Sequence, residues 1–258
     1  MTILKVEGLT KVFGGLTAVS DVSFSVPERS IFGLIGPNGA GKTTVFNQIT
    51  GIYQPTSGVI EAVGKSLVGL KPCQIAQAGV ARTFQNLRLF RRLTVMENIM
   101  IACQRDCRYP LLTAVLRNKA YKAEEKRLRE EAESLLALIG LEEYAGLKAG
   151  NLPYGHQRRL EIARALALKP RILLLDEPAA GMNPEESLSL MEFIRSVKGR
   201  FGLTILLIEH HMEIVMGICD HIVVLNFGKE IANGTAEEIQ NNREVISAYL
   251  GEEVAEDA

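Results

Sequence analysis

The sequence GPNGAGKT, which begins at Gly36, combines residue types that together can bind a polyphosphate. Gly36, Gly39 and Gly41 allow the backbone to wrap phosphate groups, whose charge the backbone N–H groups and a following helix N-terminus stabilise. Lys42 can neutralise the outer phosphates, and Thr43 can bind Mg²⁺. An apolar stretch before the motif and a helical stretch after it provide the context that it requires. The predicted phosphate-binding residues are Gly36, Pro37, Asn38, Gly39, Ala40, Gly41, Lys42, Thr43 and Thr44.

Two acidic residues follow the apolar run ILLL, which indicates a second buried strand. Asp176 at the end of this strand can hold Mg²⁺ directly or through water. Glu177 is expected on the opposite side of the strand. A carboxylate there can polarise an attacking water, a role worth roughly 10²–10⁴ in rate. Together with the phosphate loop, the two acids favour hydrolysis of a phosphate bond over an idle strand end.

His210 ends a third apolar run, LTILLIE, which also indicates a buried strand. The carboxyl edge of a parallel sheet is where ligands bind, so His210 is a candidate site residue. By position alone, a solvated surface histidine fits equally well. The neighbouring His211 is interpreted as solvated.

The elements around these motifs follow the pattern of an α/β fold. Continuous apolar strands separated by helices predict a core with a mainly parallel sheet. The first thirty residues alternate and are rich in β-branched side chains, which predicts short strands. The sequence HIVVLNFGKEIANGT predicts a hairpin that turns near Asn226 to Gly228. The expected fold is therefore a P-loop NTPase core with an N-terminal antiparallel β subdomain and an inserted helical subdomain.

We expect one domain over residues 1–250, because its parts interleave along the chain. Residues 1–85 and 166–250 would form the core with the antiparallel β subdomain. Residues 86–165 are poor in strand signals and include the charged, helix-forming sequence RNKAYKAEEKRLREEAE, so they would form the helical subdomain. Residues 251–258 form an acidic tail that we expect to be frayed.

Composition and charge exclude several classes of protein. The formal net charge of −1 gives no argument for binding nucleic acid or an anionic membrane. No apolar run approaches the roughly 18–20 residues that a membrane span needs, and the first residues lack the pattern of a signal peptide. Four cysteines in 258 residues do not indicate a disulfide framework. These features favour a cytoplasmic protein with reduced thiols.

The sequence NLPYGHQRRLEIARAL predicts a helix whose start is unusual. Helix starts usually carry Ser, Thr, Asp or Asn, which cap the free N–H groups. Here Pro153 and Tyr154 precede Gly155, and proline offers neither a hydroxyl nor an N–H. An anion bound at this helix N-terminus would complete the free N–H groups instead.

In this order and at these spacings, the motifs resemble those of the ATP-binding subunits of ABC transporters. The resemblance covers nearly the whole chain. GPNGAGKTT looks like Walker A, LLLDEP like Walker B, and RTFQN contains the Q-loop glutamine, Gln85. NLPYGHQRRLEIARAL is similar to the signature and its helix, AAGMNP holds the D-loop position, and IEHH contains the switch histidine, His210.

The resemblance implies a mechanism in which two such subunits close head to tail around ATP. Gly155 and its helix start would then face the γ-phosphate of the ATP held by the partner's Walker A. Phe13 in KVFGGL holds the aromatic position that stacks on adenine. Gln85 would sense the γ-phosphate and link the site to the membrane subunit, and His210 would orient the γ-phosphate or water. The implied metal ligands are Thr43, Gln85 and Asp176, and the implied catalytic residues are Glu177, His210 and Lys42.

A narrower resemblance involves FGGLTAVSDVSF, ARTFQNLRLFRRLTVMENIMIA, EPAAGMNP and VISAYLG. These stretches look like the larger ATPase of branched-chain amino acid importers, which carries an extra stretch corresponding here to residues 103–128. The implied partners are permease subunits, a second ATPase or another copy of this chain and, indirectly, a periplasmic solute-binding protein. The implied location is the cytoplasmic face of the inner membrane. Alternatives are a urea or amide importer, a lipid exporter and a soluble ABC ATPase.

The signature departs from the usual Leu-Ser-Gly-Gly-Gln of this family, since Pro153 replaces the serine and His156 the glutamine. The missing serine hydroxyl would have donated a hydrogen bond to the γ-phosphate, and a hydrogen bond to a charged group is worth roughly 1.5–3 kcal/mol. One hypothesis is that this signature completes the weaker of two ATP sites. The other is that Gly155 and the helix N-terminus suffice. A protonated His156 would add positive charge near the phosphate.

Overall fold

The computed structural model describes residues 1–106 and 118–250. Residues 107–117 of the predicted extra stretch and the predicted acidic tail at 251–258 lie outside the described residues. The chain divides into two compact units. One consists of Met1–Gln85 together with the segment from Arg171 onward, and the other consists of Asn86–Pro170.

The first unit contains a six-stranded sheet with the order β10-β9-β3-β8-β7-β6. Its strands are β3 (Ile31–Ile35), β6 (Val80–Arg82), β7 (Ile172–Asp176), β8 (Thr204–Ile208), β9 (His221–Asn226) and β10 (Lys229–Gly234). All neighbours in this sheet pair in parallel except β9 and β10, which form the predicted hairpin. Every residue of β3, β7 and β8 is buried, as expected for strands covered on both faces. The prediction of a mainly parallel sheet is confirmed.

A second sheet in the same unit is antiparallel and has the order β2-β1-β4-β5. Its strands are β1 (Thr2–Phe13), β2 (Leu16–Pro27), β4 (Ser57–Ala62) and β5 (Lys65–Ser66). Along β2 and β4 buried and exposed residues alternate, because one face packs on the core and the other faces water. This confirms the predicted N-terminal antiparallel sheet.

The helices surround these sheets or form the second unit. The described helices are α1 (Lys42–Ile49), α2 (Pro72–Gln77), α3 (Val95–Cys103), α4 (Lys119–Ile139), α5 (Tyr154–Leu166), α6 (Pro184–Phe201), α7 (Met212–Ile218), α8 (Ala236–Gln240) and α9 (Arg243–Leu250). Within the described ranges, none combines the length and the apolar character that crossing a bilayer needs.

The second unit is helical, with α3, α4 and α5 packed on one another. The α3 helix begins with a capping box in which the side chains of Thr94 and Glu97 each bind the other's backbone N–H. In α4, Leu128, Ala132 and Leu136 lie on a buried stripe at helical spacing. The charged residues predicted for this helix lie on the opposite face, which is exposed to water. The helix ends at its C-cap, Gly140, which has a left-handed conformation.

Candidate nucleotide-hydrolysis site

The phosphate loop connects β3 to α1 along a path that only glycine permits. Gly36 has φ of 144°, and an added Cβ would lie 2.0 Å from the carbonyl oxygen of Leu225. Gly41, at the N-cap of α1, has φ of 100°, and its Cβ would lie 2.7 Å from the carbonyl oxygen of Ala18. Side chains at these two positions would collide with the backbone of β9 and β2. The loop therefore keeps the tight curvature that wrapping a polyphosphate needs.

The Lys42 side chain is buried within the loop. Its ammonium donates to the carbonyl oxygens of Gly36 at 2.6 Å and Pro37 at 2.9 Å. Burial lowers the pKa of Lys42, and the charges of Glu177 and Asp176 oppose this shift. An incoming phosphate would add negative charge beside a poorly solvated cation, which favours binding.

Asp176 and Glu177 lie side by side but differ in backbone conformation. Asp176 is the last residue of β7 and is buried. Glu177 has a left-handed φ of 46°, and its N–H donates to the carbonyl of Ile208. The expectation that Glu177 continues the alternation of the strand is wrong, because β7 ends at Asp176. Such a conformation costs about 1–3 kcal/mol in a non-glycine residue and is typical of functional sites.

Gln85 and His210 both lie beside the Glu177 carboxylate. The Gln85 amide donates to Glu177 Oε2 at 2.7 Å, and Nδ1 of His210 lies 3.8 Å from the same oxygen. The Gln85 side chain is exposed and His210 is 43% exposed, so both can meet a ligand. Two residues that the sequence singled out separately thus converge on the carboxylate of a third.

Arg82 is a site residue that the sequence analysis missed. Its Nη2 lies 2.6 Å from Asp176 Oδ2, and both side chains are only 6% exposed. Its Nη1 donates to the side-chain oxygens of Asn47 on α1 and of Thr50, the C-cap of that helix, at 2.7 and 3.2 Å. The rings of Phe46 and Phe84 lie 5.5 and 5.0 Å from the guanidinium, so aromatic side chains complete its surroundings. One buried cation thereby joins the phosphate-loop helix to the acidic end of β7. The sequence feature that could have indicated this residue is a charged arginine at the end of the otherwise apolar strand VAR.

Phe13, predicted to stack on a base, is the last residue of β1 and is 39% exposed. Tyr53 packs edge-on against its ring at 5.1 Å, and the ammonium of Lys11 lies 5.0 Å from the ring centre. These contacts restrain the ring while leaving part of it open to solvent. Its stacking role stays a prediction.

The signature lies in the second unit, at the start of α5. The helix begins at Tyr154, one residue earlier than expected, with Pro153 as N-cap and no capping side chain among the described residues. The first helical N–H with a backbone partner is that of Gln157, which donates to Pro153 at 3.0 Å. Helix geometry leaves the preceding N–H groups without intrahelical partners. A Cβ at Gly155 would meet no atom within 4 Å, so the space beside these N–H groups is open.

A buried arginine anchors this helix start. Arg158 is fully buried, its Nη1 lies 2.8 Å from Glu161 Oε2, and its Nη2 donates to the Tyr154 hydroxyl at 3.2 Å. The other oxygen of Glu161 accepts from the backbone N–H of Arg88 at 3.1 Å. This network fixes the first residue of α5 within the second unit. This network was not predicted from the sequence, because nothing in the sequence of the helix distinguishes Arg158 from its other arginines.

His156 is expected to destabilise the protein in acid. Burial, and secondarily the charge of Arg159, lowers the pKa of His156. Below the ordinary histidine pKa of about 6.5, the unfolded chain takes up a proton that the folded chain resists, so stability falls with falling pH. His156→Gln should therefore lose less stability between about pH 7.5 and 5.5 than the wild type, as measured by urea unfolding at both pH values.

A matched control for this measurement is His221→Asn, because His221 is a histidine on β9, outside the helical unit, where its Nε2 lies 2.5 Å from Asn233 Oδ1. If His156→Gln lost as much stability in acid as the wild type does, His156 would not be the source of the acid sensitivity. A lowered pKa also disfavours the hypothesis that His156 brings positive charge to a phosphate at neutral pH.

Comparison with known proteins places similar sequences over the whole length of the chain. A profile of the ABC transporter family matches residues 19–180, and one described as branched-chain amino acid ATP-binding cassette transporter matches residues 229–255. The chain is 52% identical to the high-affinity branched-chain amino acid transport ATP-binding protein LivG of Salmonella typhimurium, covering 97% of this chain and 98% of LivG. It is 50% identical to BraF of Pseudomonas aeruginosa, with the same coverage and the same description. Its structure is similar to the ADP conformation of MJ1267, an ATP-binding cassette of an ABC transporter, with a TM-score of 0.85, 32% identity, and coverage of 98% of this chain and 100% of that one.

Proposed function

Because the chain belongs to the ABC transporter family, as an ATP-binding protein, we propose that it powers the import of branched-chain amino acids. The observation that carries this proposal is the similarity to LivG and BraF over 97% of the chain, since both are described as high-affinity branched-chain amino acid transport ATP-binding proteins. The match of residues 229–255 to a branched-chain amino acid transporter profile supports it separately from the match of residues 19–180 to the ABC transporter profile. The chain itself is the ATPase, and the transported solute binds to other proteins of the complex.

The residues at the site fit ATP with Mg²⁺. The glycine loop and Lys42 would bind the phosphates, and Phe13 would stack on adenine, worth roughly 1–3 kcal/mol. The exposed Thr43 hydroxyl and the Asp176 carboxylate are hard oxygen donors of the kind that Mg²⁺ prefers. Asp176 has a second carboxylate oxygen besides the one that binds Arg82. Bound Mg²⁺ would neutralise charge that develops on the phosphate oxygens.

Glu177 would act as the general base. Its carboxylate would take a proton from the water that attacks the γ-phosphate, and His210 would orient that water or the phosphate. In the structure, the Gln85 amide donates to Oε2 of Glu177. This hydrogen bond orients the carboxylate and leaves Oε1 and the remaining lone pair of Oε2 able to accept the proton, and a turn of Gln85 toward Mg²⁺ and the γ-phosphate would make the base more basic when nucleotide binds.

The signature would act on the ATP of a second ATPase subunit. The N–H groups at the start of α5 have no intrahelical partners, carry the positive end of the helix dipole, and lie beside open space at Gly155. In a head-to-tail dimer this helix start would bind the partner's γ-phosphate. The second subunit is either a related ATPase or another copy of this chain, and permease proteins would dock the pair on the membrane.

Reconstitution of the complete complex tests this function. The chain, its permease proteins and the solute-binding protein would be placed in vesicles, and phosphate release would be measured with and without leucine. Leucine should stimulate turnover, whereas urea or an amide should not. ATP turnover that responds to urea but not to leucine, or copurification with a lipid exporter, would replace the branched-chain proposal with one of the alternatives.

Pro153→Ser is expected to leave ATP turnover of the complex within about threefold of the wild type. The backbone N–H groups at the helix start are present with either residue, and they supply the anion site. Turnover and the apparent affinity for ATP would be measured in the assembled complex. A clear gain in either would instead support the hypothesis that this signature completes a weaker site.

Gly155→Asp provides the matched control for the signature. A carboxylate would then occupy the open space beside the free N–H groups and repel the partner's phosphate. Turnover should fall strongly, while ATP binding to this chain's own phosphate loop should persist. An active Gly155→Asp complex would contradict the role assigned to the helix start.

A further inference from the structure

A cluster of metal-binding side chains lies at the carboxyl end of β8. Glu209, His210 and His211 each offer one ligand atom, and these atoms all lie within 4.8 Å of one another. The Glu209 side chain is fully buried, whereas His210 and His211 are 43% and 52% exposed. The expectation that His211 is merely solvated is thus incomplete, because its Nδ1 lies 3.5 Å from Glu209 Oε2.

The buried carboxylate is held in one orientation by the backbone. Oε1 of Glu209 accepts from the N–H of Ala179 at 2.9 Å, and Oε2 lies 3.3 Å from the N–H of His210. Oε2 therefore lies between the His210 backbone and the His211 ring. In metal sites, ligating carboxylates are commonly held in orientation by such a hydrogen bond to a neighbouring group.

The donor set of two histidines and one glutamate suits Zn²⁺ with an open coordination position. Tetrahedral bonds of about 2.0–2.2 Å place neighbouring donors roughly 3.4 Å apart. The separation of Glu209 and His211 already matches this value. The three ligand atoms lie within 4.8 Å of one another, and rotation of the exposed His210 ring would close the remaining gap to about 3.4 Å. A cleft of about 700 Å³ that both histidines line gives the ion a path from solvent.

We propose that Glu209, His210 and His211 form a Zn²⁺ site that inhibits ATP hydrolysis by capturing His210. The inhibitory part rests on the proposed function, in which His210 orients the γ-phosphate or water. Nδ1 of His210 also lies 3.8 Å from Glu177, so an ion held here would lie close to the proposed base. Metal and nucleotide would therefore compete for the same histidine.

Binding of the ion is tested without nucleotide, by titrating the protein with Co²⁺ and then displacing it with Zn²⁺. The wild type should give the strong visible absorption of four-coordinate Co²⁺. His211→Asn should weaken Co²⁺ binding by about 10-fold or more. Asparagine is a favoured N-cap, and residue 211 is the N-cap of α7, so this variant should fold. His221→Asn is the control and should bind as the wild type does.

An absent Co²⁺ band in the wild type, or equal bands in the wild type and His211→Asn, would overturn the site. Because no ATP is present, this result is independent of whether the chain hydrolyses ATP. In the complex, His211→Asn should retain basal turnover and need about 10-fold more Zn²⁺ for half inhibition. Equal Zn²⁺ sensitivity of the two proteins would overturn the inhibitory role.

Discussion

Replacing Glu177 by Gln is expected to lower ATP turnover of the assembled complex by at least about 100-fold, because the general base is lost. The amide has nearly the shape of the carboxylate but cannot accept the proton from water. Its carbonyl oxygen can still accept the Gln85 hydrogen bond, which is 2.7 Å long in the wild type. The local fold should therefore survive. Phosphate release under saturating ATP measures the loss, and equilibrium binding of ATP should remain close to that of the wild type.

Glu185→Gln is the matched control for this variant. Glu185 is also a glutamate, but it is exposed in the first turn of α6 and is not one of the predicted site residues. Its replacement should leave turnover unchanged. A Glu177→Gln complex with a near-wild-type rate would refute Glu177 as the base. Joint loss of turnover and ATP binding would indicate instead that Glu177 supports the structure of the site.

The phosphate loop and the acidic strand end could be predicted from the sequence because their determinants are local. Gly36 and Gly41 fill positions where any Cβ would strike the neighbouring backbone, so the residue type itself reports the geometry. The apolar runs of β3, β7 and β8 are buried throughout, which marks them as central strands. From these local sequence features alone, the phosphate loop, Asp176 and His210 could be predicted to lie at the ends of strands.

The contacts between distant segments could not be predicted in this way. Arg82 and Asp176 are 94 residues apart and meet only because β6 pairs in parallel with β7. The left-handed turn at Glu177 depends on its hydrogen bond to Ile208 on β8, which the strand pattern around Glu177 does not contain. Local periodicity specifies which face of an element is buried, whereas the partner of a buried charge depends on the order of strands in the sheet.

Arg82→Met is expected to reduce the free energy of unfolding by about 3–5 kcal/mol, because it leaves the buried Asp176 carboxylate without its ion-pair partner. The apolar surroundings of Phe46 and Phe84 suit methionine, so the loss should come from the stranded charge more than from a cavity. The side-chain oxygens of Asn47 and Thr50 lose a donor as well. Urea unfolding of the nucleotide-free protein measures the change.

Two further variants separate burial from charge. Arg171→Met removes an arginine from an ion pair with Glu28 whose side chains are 56% and 33% exposed, and it should cost less than about 1 kcal/mol. Adding Asp176→Leu to Arg82→Met removes the stranded charge and should recover part of the lost stability. A double variant less stable than Arg82→Met, or a cost for Arg82→Met as small as that for Arg171→Met, would contradict the argument. Both single variants remove one arginine from one carboxylate. The difference between their losses in unfolding free energy therefore measures how much more it costs to leave a buried carboxylate unpaired than one that water can solvate.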